Sequence, residues 1–196
     1  MSVSRRLLIR STAFAALAGC LPPLWAQLRQ GRDSRQNSLP SRGSVAEFGD
    51  ELRLSHSYTV DCAGLMPEER YLFRPVPEER TFGQQMVHVA ESLRGVFEVF
   101  VEGKVSPTTA LSEAGKEPVR SKADVIARLR DSFDYVERAV ASLIDSTLLV
   151  RVQFLENREF SRQRVLRFIL DHTTHHRGQA IVYMRLNGVR PPQYRA

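Results

Sequence analysis

Cysteine is scarce in this chain of 196 residues: only Cys20 and Cys62 occur, so there is no disulfide framework to organise a fold. A long uninterrupted apolar run is also missing. The nearest candidate, Ser11 to about Leu24, is closed off by Pro22 and Pro23 and is too short for a comfortable transmembrane helix. The formal charge is +6, yet the basic residues form no block. Lys and Arg alternate with Asp and Glu along helical patterns, which reads as solvated faces, and Arg5, Arg6 and Arg10 fall in a segment expected to be removed. Nucleic acid is therefore not an expected partner. Convincing strands are lacking too: Leu148 to Leu155 alternates weakly and has nothing to pair with, so it reads as a connection. With 42% hydrophobic residues, what remains is enough for one ordinary helical domain.

The first 26 residues read as an address. Ser4-Arg5-Arg6-Leu7-Leu8-Ile9-Arg10 ahead of the apolar run resembles a twin-arginine signal, a class that exports proteins already folded. Ala26 before Gln27 suits an ordinary signal peptidase. Leu17-Ala18-Gly19-Cys20 offers the alternative of a lipoprotein with Cys20 as its anchor, which is the one expected route to a membrane. Either outcome places the domain outside the cytoplasm, periplasmic or otherwise extracytoplasmic. Residues 27–43, rich in Arg, Gln, Ser and Gly, read as a flexible linker to a domain spanning 44–196.

Four amphipathic helices account for that domain. Ser44-Val45-Ala46-Glu47 has the form of a capping box and opens a helix that runs to about Leu65, where Pro67 disfavours continuation. A proline-rich connector follows, pinned by Tyr71 and Phe73. Thr81-Phe82-Gly83-Gln84 opens a second helix with a stripe of Phe82, Met86, Val89, Leu93, Val96 and Phe100. After a loop over 102–118, Ser121 caps a third, with Val125 or Ile126, Leu129, Phe133, Val136, Val140 and Leu143 on its apolar face. Ser161 caps the last, which ends at Asn187-Gly188 before Pro191-Pro192. The expected fold class is all-α, a four-helix bundle.

Three of the five histidines crowd into Asp171-His172-Thr173-Thr174-His175-His176-Arg177-Gly178-Gln179. The buried stripe of the last helix steps through Val165, Ile169, His172, His176, Gln179, Tyr183 and Leu186. Residues four apart share a face, so His172 and His176 occupy core positions where each ring nitrogen needs a partner. His175 points elsewhere, on a line with Phe168 and Val182, and is expected to pack against a neighbouring helix. A metal ion would satisfy the pair, and the second helix supplies a third imidazole, His88, beside its apolar stripe and next to Gln85 and Ser92. Three neutral imidazoles leave a position open for water or substrate. His56 reads as a surface or packing residue. No Asp or Glu stands out as a general base, so catalytic residues cannot be named.

The stretch from His172 to Gln179, with Tyr183-Met184-Arg185-Leu186-Asn187-Gly188 and Pro191-Pro192, resembles the C-terminal signature of the DinB-like superfamily, which includes the YfiT-type proteins. Met66-Pro67-Glu68-Glu69, Tyr71 to Pro75 and Arg80 to Gln84 through His88 resemble the approach to that family's first histidine. The resemblance implies a metal-binding four-helix bundle over Ser44 to Tyr194, with His88, His172 and His176 holding a divalent ion such as Zn²⁺, Ni²⁺ or another first-row metal. Gly178 is expected to permit close helix approach and Arg177 to pair with an acid. The implied activity is metal-dependent hydrolysis of a small-molecule substrate. Thiol-dependent S-transfer, or metal binding without turnover in a stress-related protein, is the alternative. Export disfavours the thiol reading, because a cytoplasmic thiol is scarce outside the membrane. Bundles of this kind also pair through an exposed helix face, which makes a homodimer an expectation.

Overall fold

The structure is a computed structural model and describes residues 43–104, 119, 121–154 and 158–195. The expected signal, the alternative lipid site at Cys20, the expected linker up to residue 42 and most of the 102–118 loop lie outside the described residues. Four long helices carry the architecture: α1 (Val45–Leu65), α2 (Phe82–Val96), α3 (Lys122–Ala141) and α4 (Arg162–Leu186). Their starts are set locally. Ser44 Oγ accepts from the Glu47 amide while Glu47 accepts from the Ser44 amide, and Thr81 with Gln84 repeats the arrangement. Ser121 and Ser161 each accept from the amide three residues on. Gly188, at φ 70°, stops α4, with the Val189 amide turning back to the Met184 carbonyl.

Both α1 and α2 pack against α3 and α4, so α1 and α2 face each other across a diagonal. The core is filled by the expected stripes. Phe82, Met86, Val89, Leu93 and Val96 are buried on α2, and Val125, Leu129, Phe133, Val136 and Val140 on α3. At about 1.5–3 kcal/mol for each large apolar side chain removed from water, these faces hold the bundle together. The connector after α1 is fastened as expected: Tyr71 is buried and donates to the Ala63 carbonyl, and Phe73 meets Tyr183 edge-on. Gly83 is where the chain needs a missing side chain, since a Cβ there would lie 2.9 Å from Val119 and 3.2 Å from Tyr71.

Two features depart from the sequence reading. The α2 helix widens into a π-turn over Phe97–Val101 before it ends. The segment read as a simple connection contains a strand after all: β1 (Arg151–Gln153) pairs antiparallel with β2 (Glu159–Ser161), Val152 opposite Phe160. This hairpin delivers Phe154 and Phe160 to the core. Leu186 is a further correction. It was placed on the buried stripe but is 60% exposed, because the buried face of α4 rotates onto Ala180, Tyr183 and Met184 at that end.

Candidate metal centre

The α2–α4 interface brings His88, His172 and His176 together. His88 Nε2 lies 3.1 Å from His176 Nε2, which lies 3.2 Å from His172 Nε2. His88 is 5% and His176 9% exposed. Burial, followed by the field of neighbouring histidines, pulls His172 and His176 down to about 4. Both rings are therefore neutral near pH 7.

The other edge of each α4 ring is held. Ser92 Oγ is 3.3 Å from His172 Nδ1 and donates its own hydrogen to the His88 carbonyl at 2.5 Å, which leaves its lone pairs for an Nδ1–H of His172. Gln179 Oε1 is 3.1 Å from His176 Nδ1 and also accepts from Gln85 Nε2. Gln85 Nε2 lies 2.7 Å from the same Nδ1 and 3.3 Å from the His176 carbonyl. With Nδ1 protonated toward Ser92 Oγ, His172 turns its Nε2 lone pair inward. His176 does the same in the tautomer that donates Nδ1–H to Gln179 Oε1, the Gln85 amide then directing its hydrogens to Gln179 Oε1 and the His176 carbonyl. Ring nitrogens facing one another without a proton between them repel, and a cation at their centre removes that cost. Nitrogens about 2.0–2.1 Å from a tetrahedral zinc would sit about 3.3 Å apart, close to the spacing here. The residues present thus fit a divalent ion. Among the described residues no fourth histidine, cysteine or carboxylate joins the group.

The surroundings are aromatic on one side and basic on another. Phe168 stacks on His172, with ring centroids 5.5 Å apart, and Phe154 of the hairpin lies 5.0 Å behind Phe168. The field of Arg80 reaches both His172 and His176. Arg80 directly precedes the cap of α2 and sequence reasoning assigned it no role.

A family model of the DinB superfamily matches residues 51–180. The chain belongs to the DinB superfamily. Solved DinB-like structures share its fold. A DinB-like protein from Bacillus cereus superposes with a TM-score of 0.67 at 18% identity, covering 78% of this chain and 98% of that one. Another from Bacillus subtilis gives 0.61 at 15% identity, covering 76% and 98%. A search of curated protein sequences gives no match.

Within this DinB bundle, several neighbours of the cluster behave differently from the sequence reading. His175 does not pack against another helix: it is exposed, with Nε2 3.2 Å from Gln179 Nε2 and its ring edge-on to His176. Gly178 faces open space, so close helix approach is not its task. Arg177 has no acidic partner among the described residues. Its Nη1 donates to Ser55 Oγ at 2.8 Å and Thr59 Oγ1 at 3.2 Å, since the residue faces α1, whose buried polar groups are hydroxyls. His56 is a packing residue, as expected. It stacks on Phe133 at 4.7 Å and places Nδ1 2.8 Å from Glu137.

Proposed function

We propose that this DinB-superfamily protein is a metal-dependent hydrolase in which His88, His172 and His176 hold one divalent ion. The observation that carries the proposal is the set of inward-facing ring nitrogens, at 3.1 and 3.2 Å, with no fourth protein ligand among the described residues. An ion held by these three residues would supply Lewis acidity and would lower the pKa of a bound water to near neutrality. The chain's own residues do the rest. Ser92, Gln179 and Gln85 keep the rings oriented, and Phe168 with the hairpin aromatics limits water around His172. Arg80 contributes positive charge that would favour an anion forming on the substrate. Zinc and nickel both suit imidazole ligands. The paired arginines and apolar run at the N-terminus support export, so the substrate would be met outside the cytoplasm.

The test loads purified mature protein with Zn²⁺ or Ni²⁺ and assays esters, lactones and amides beside His172→Ala. Turnover that depends on the metal and vanishes in the variant is expected. A loaded protein that cleaves none of these, but transfers a thiol to an electrophile, would replace the hydrolase with the S-transferase. For export, the expected result is a shortened chain in the periplasmic fraction. Full-length chain confined to the cytoplasm would refute that part.

A further inference from the structure

Arg177 is adjacent to His176 but about 100° further round α4, so it turns toward α1 rather than α2. It is only 7% exposed. Buried guanidinium groups ordinarily face a carboxylate, because an uncompensated buried charge is costly. Here the neighbours are neutral. Nη1 donates to the hydroxyls of Ser55 and Thr59, Nη2 donates to Thr174 Oγ1 at 3.2 Å, and the Tyr58 ring lies 4.8 Å from the guanidinium carbon. Burial raises both Tyr58 and Cys62, the latter to about 11, so neither supplies a negative charge near pH 7. A guanidinium has five N–H donors. These bonds occupy Nη1 and one hydrogen of Nη2, leaving Nε and the second Nη2 hydrogen without a protein acceptor among the described residues.

The same side chain lines a pocket of about 270 Å³ between α1 and α4, with Ser55, Tyr58 and Thr174 contributing hydroxyls and Leu170 an apolar wall. The exposed Glu51 and Asp171 line it as well. Arg195, also at the pocket, is engaged with Asp61 and Ser57. The charges are therefore split. One buried cation can take a carboxylate through two N–H groups, while the outer carboxylates repel a second negative charge and attract an ammonium.

We propose that this pocket binds a small monocarboxylate whose remainder is neutral or cationic, an amino acid being the simplest case, with its carboxylate on Arg177. The site is separate from the histidine cluster and stands whether or not that cluster is catalytic.

The experiment titrates the full chain with acetate, glycine and inorganic phosphate at constant ionic strength, following the backbone amide resonances of Ser55 and Thr174. Acetate and glycine are expected to give saturable shifts, with phosphate weaker. Thr174→Glu places a carboxylate on the chain beside Nη2. It should weaken acetate and glycine binding by at least about tenfold and raise the thermal midpoint by about 2–4 °C. Asp171→Asn should weaken glycine and leave acetate unchanged. No saturable shift in the wild type, undiminished binding in Thr174→Glu, or phosphate binding as tightly as acetate would each overturn the proposal.

Discussion

Two histidine groups sit on this bundle and solve opposite problems. At the α1–α3 interface His56 lies flat on Phe133 and finds Glu137 2.8 Å away and Asp134 at 4.0 Å. That ring is satisfied by the chain: an aromatic face takes its plane and a carboxylate takes its nitrogen. At the α2–α4 interface the rings of His88, His172 and His176 turn their nitrogens on one another. Hydroxyl and amide groups hold the outer edges of His172 and His176, and the described residues place no carboxylate among the three ligand atoms. The difference teaches how to read a buried histidine. The telling question is what the ring nitrogens face: carboxylates in the first group, other ring nitrogens in the second.

Breaking the second group should have the largest effect. His172→Ala is expected to lower metal content from about one equivalent per chain to background, as measured by elemental analysis after dialysis. Equal content in the two proteins would sink the site. Next comes acidification of the metal-free protein. Folded His172 and His176 titrate at about 4, below the value near 6.5 of an unfolded chain. The unfolded state therefore takes up protons first as the pH falls, and stability present above about 6.5 is lost on the way to about 4. The loss should be on the order of a few kcal/mol in denaturant titrations. A flat profile across that window would contradict the buried, neutral state of the pair.

Removing an outer contact should matter less than removing a ligand. Gln179→Leu deletes the acceptor for His176 Nδ1–H and should weaken metal binding about 10–100-fold with little change in fold. Isothermal titration with Zn²⁺ would measure it. The smallest effect tests the first group: His56→Ala should cost about 1–2 kcal/mol through lost stacking and hydrogen bonding while metal stoichiometry stays at one. A fall in stoichiometry would erase the distinction between the two groups.

What could be read from the residues alone follows the range of the interaction. The caps at Ser44, Thr81, Ser121 and Ser161 are decided within four residues, and each is where the local pattern puts it. The spacing of His172 and His176 is likewise a property of one helix, and His88 follows from its place beside the α2 stripe. The β1–β2 hairpin was missed because each strand has only three residues and its value comes from Phe154 and Phe160 reaching a distant core. Arg177 and His175 were misjudged because one residue is about 100° of rotation, and only packing decides which neighbour each side chain meets. Gly83, rather than Gly178, is the tight spot for the same reason: the close approach comes from Val119 and Tyr71, outside the helix. Arg80, just ahead of the α2 cap, becomes part of the site only once α2 and α4 lie side by side.

His88 and His176 are 88 residues apart in sequence, and between them run the rest of α2, all of α3 and the hairpin. An ion shared by the two would act as a reversible cross-link across that span. Closing a loop of this size costs chain entropy that grows as about (3/2)RT ln n, and a clip that survives unfolding would shift this cost onto the unfolded chain. If the ion binds only the folded chain, excess metal stabilises the bundle by about 2.7 kcal/mol at a hundred times the dissociation constant. The availability of metal, and not only temperature or pH, would then set how much of this chain is folded at any moment.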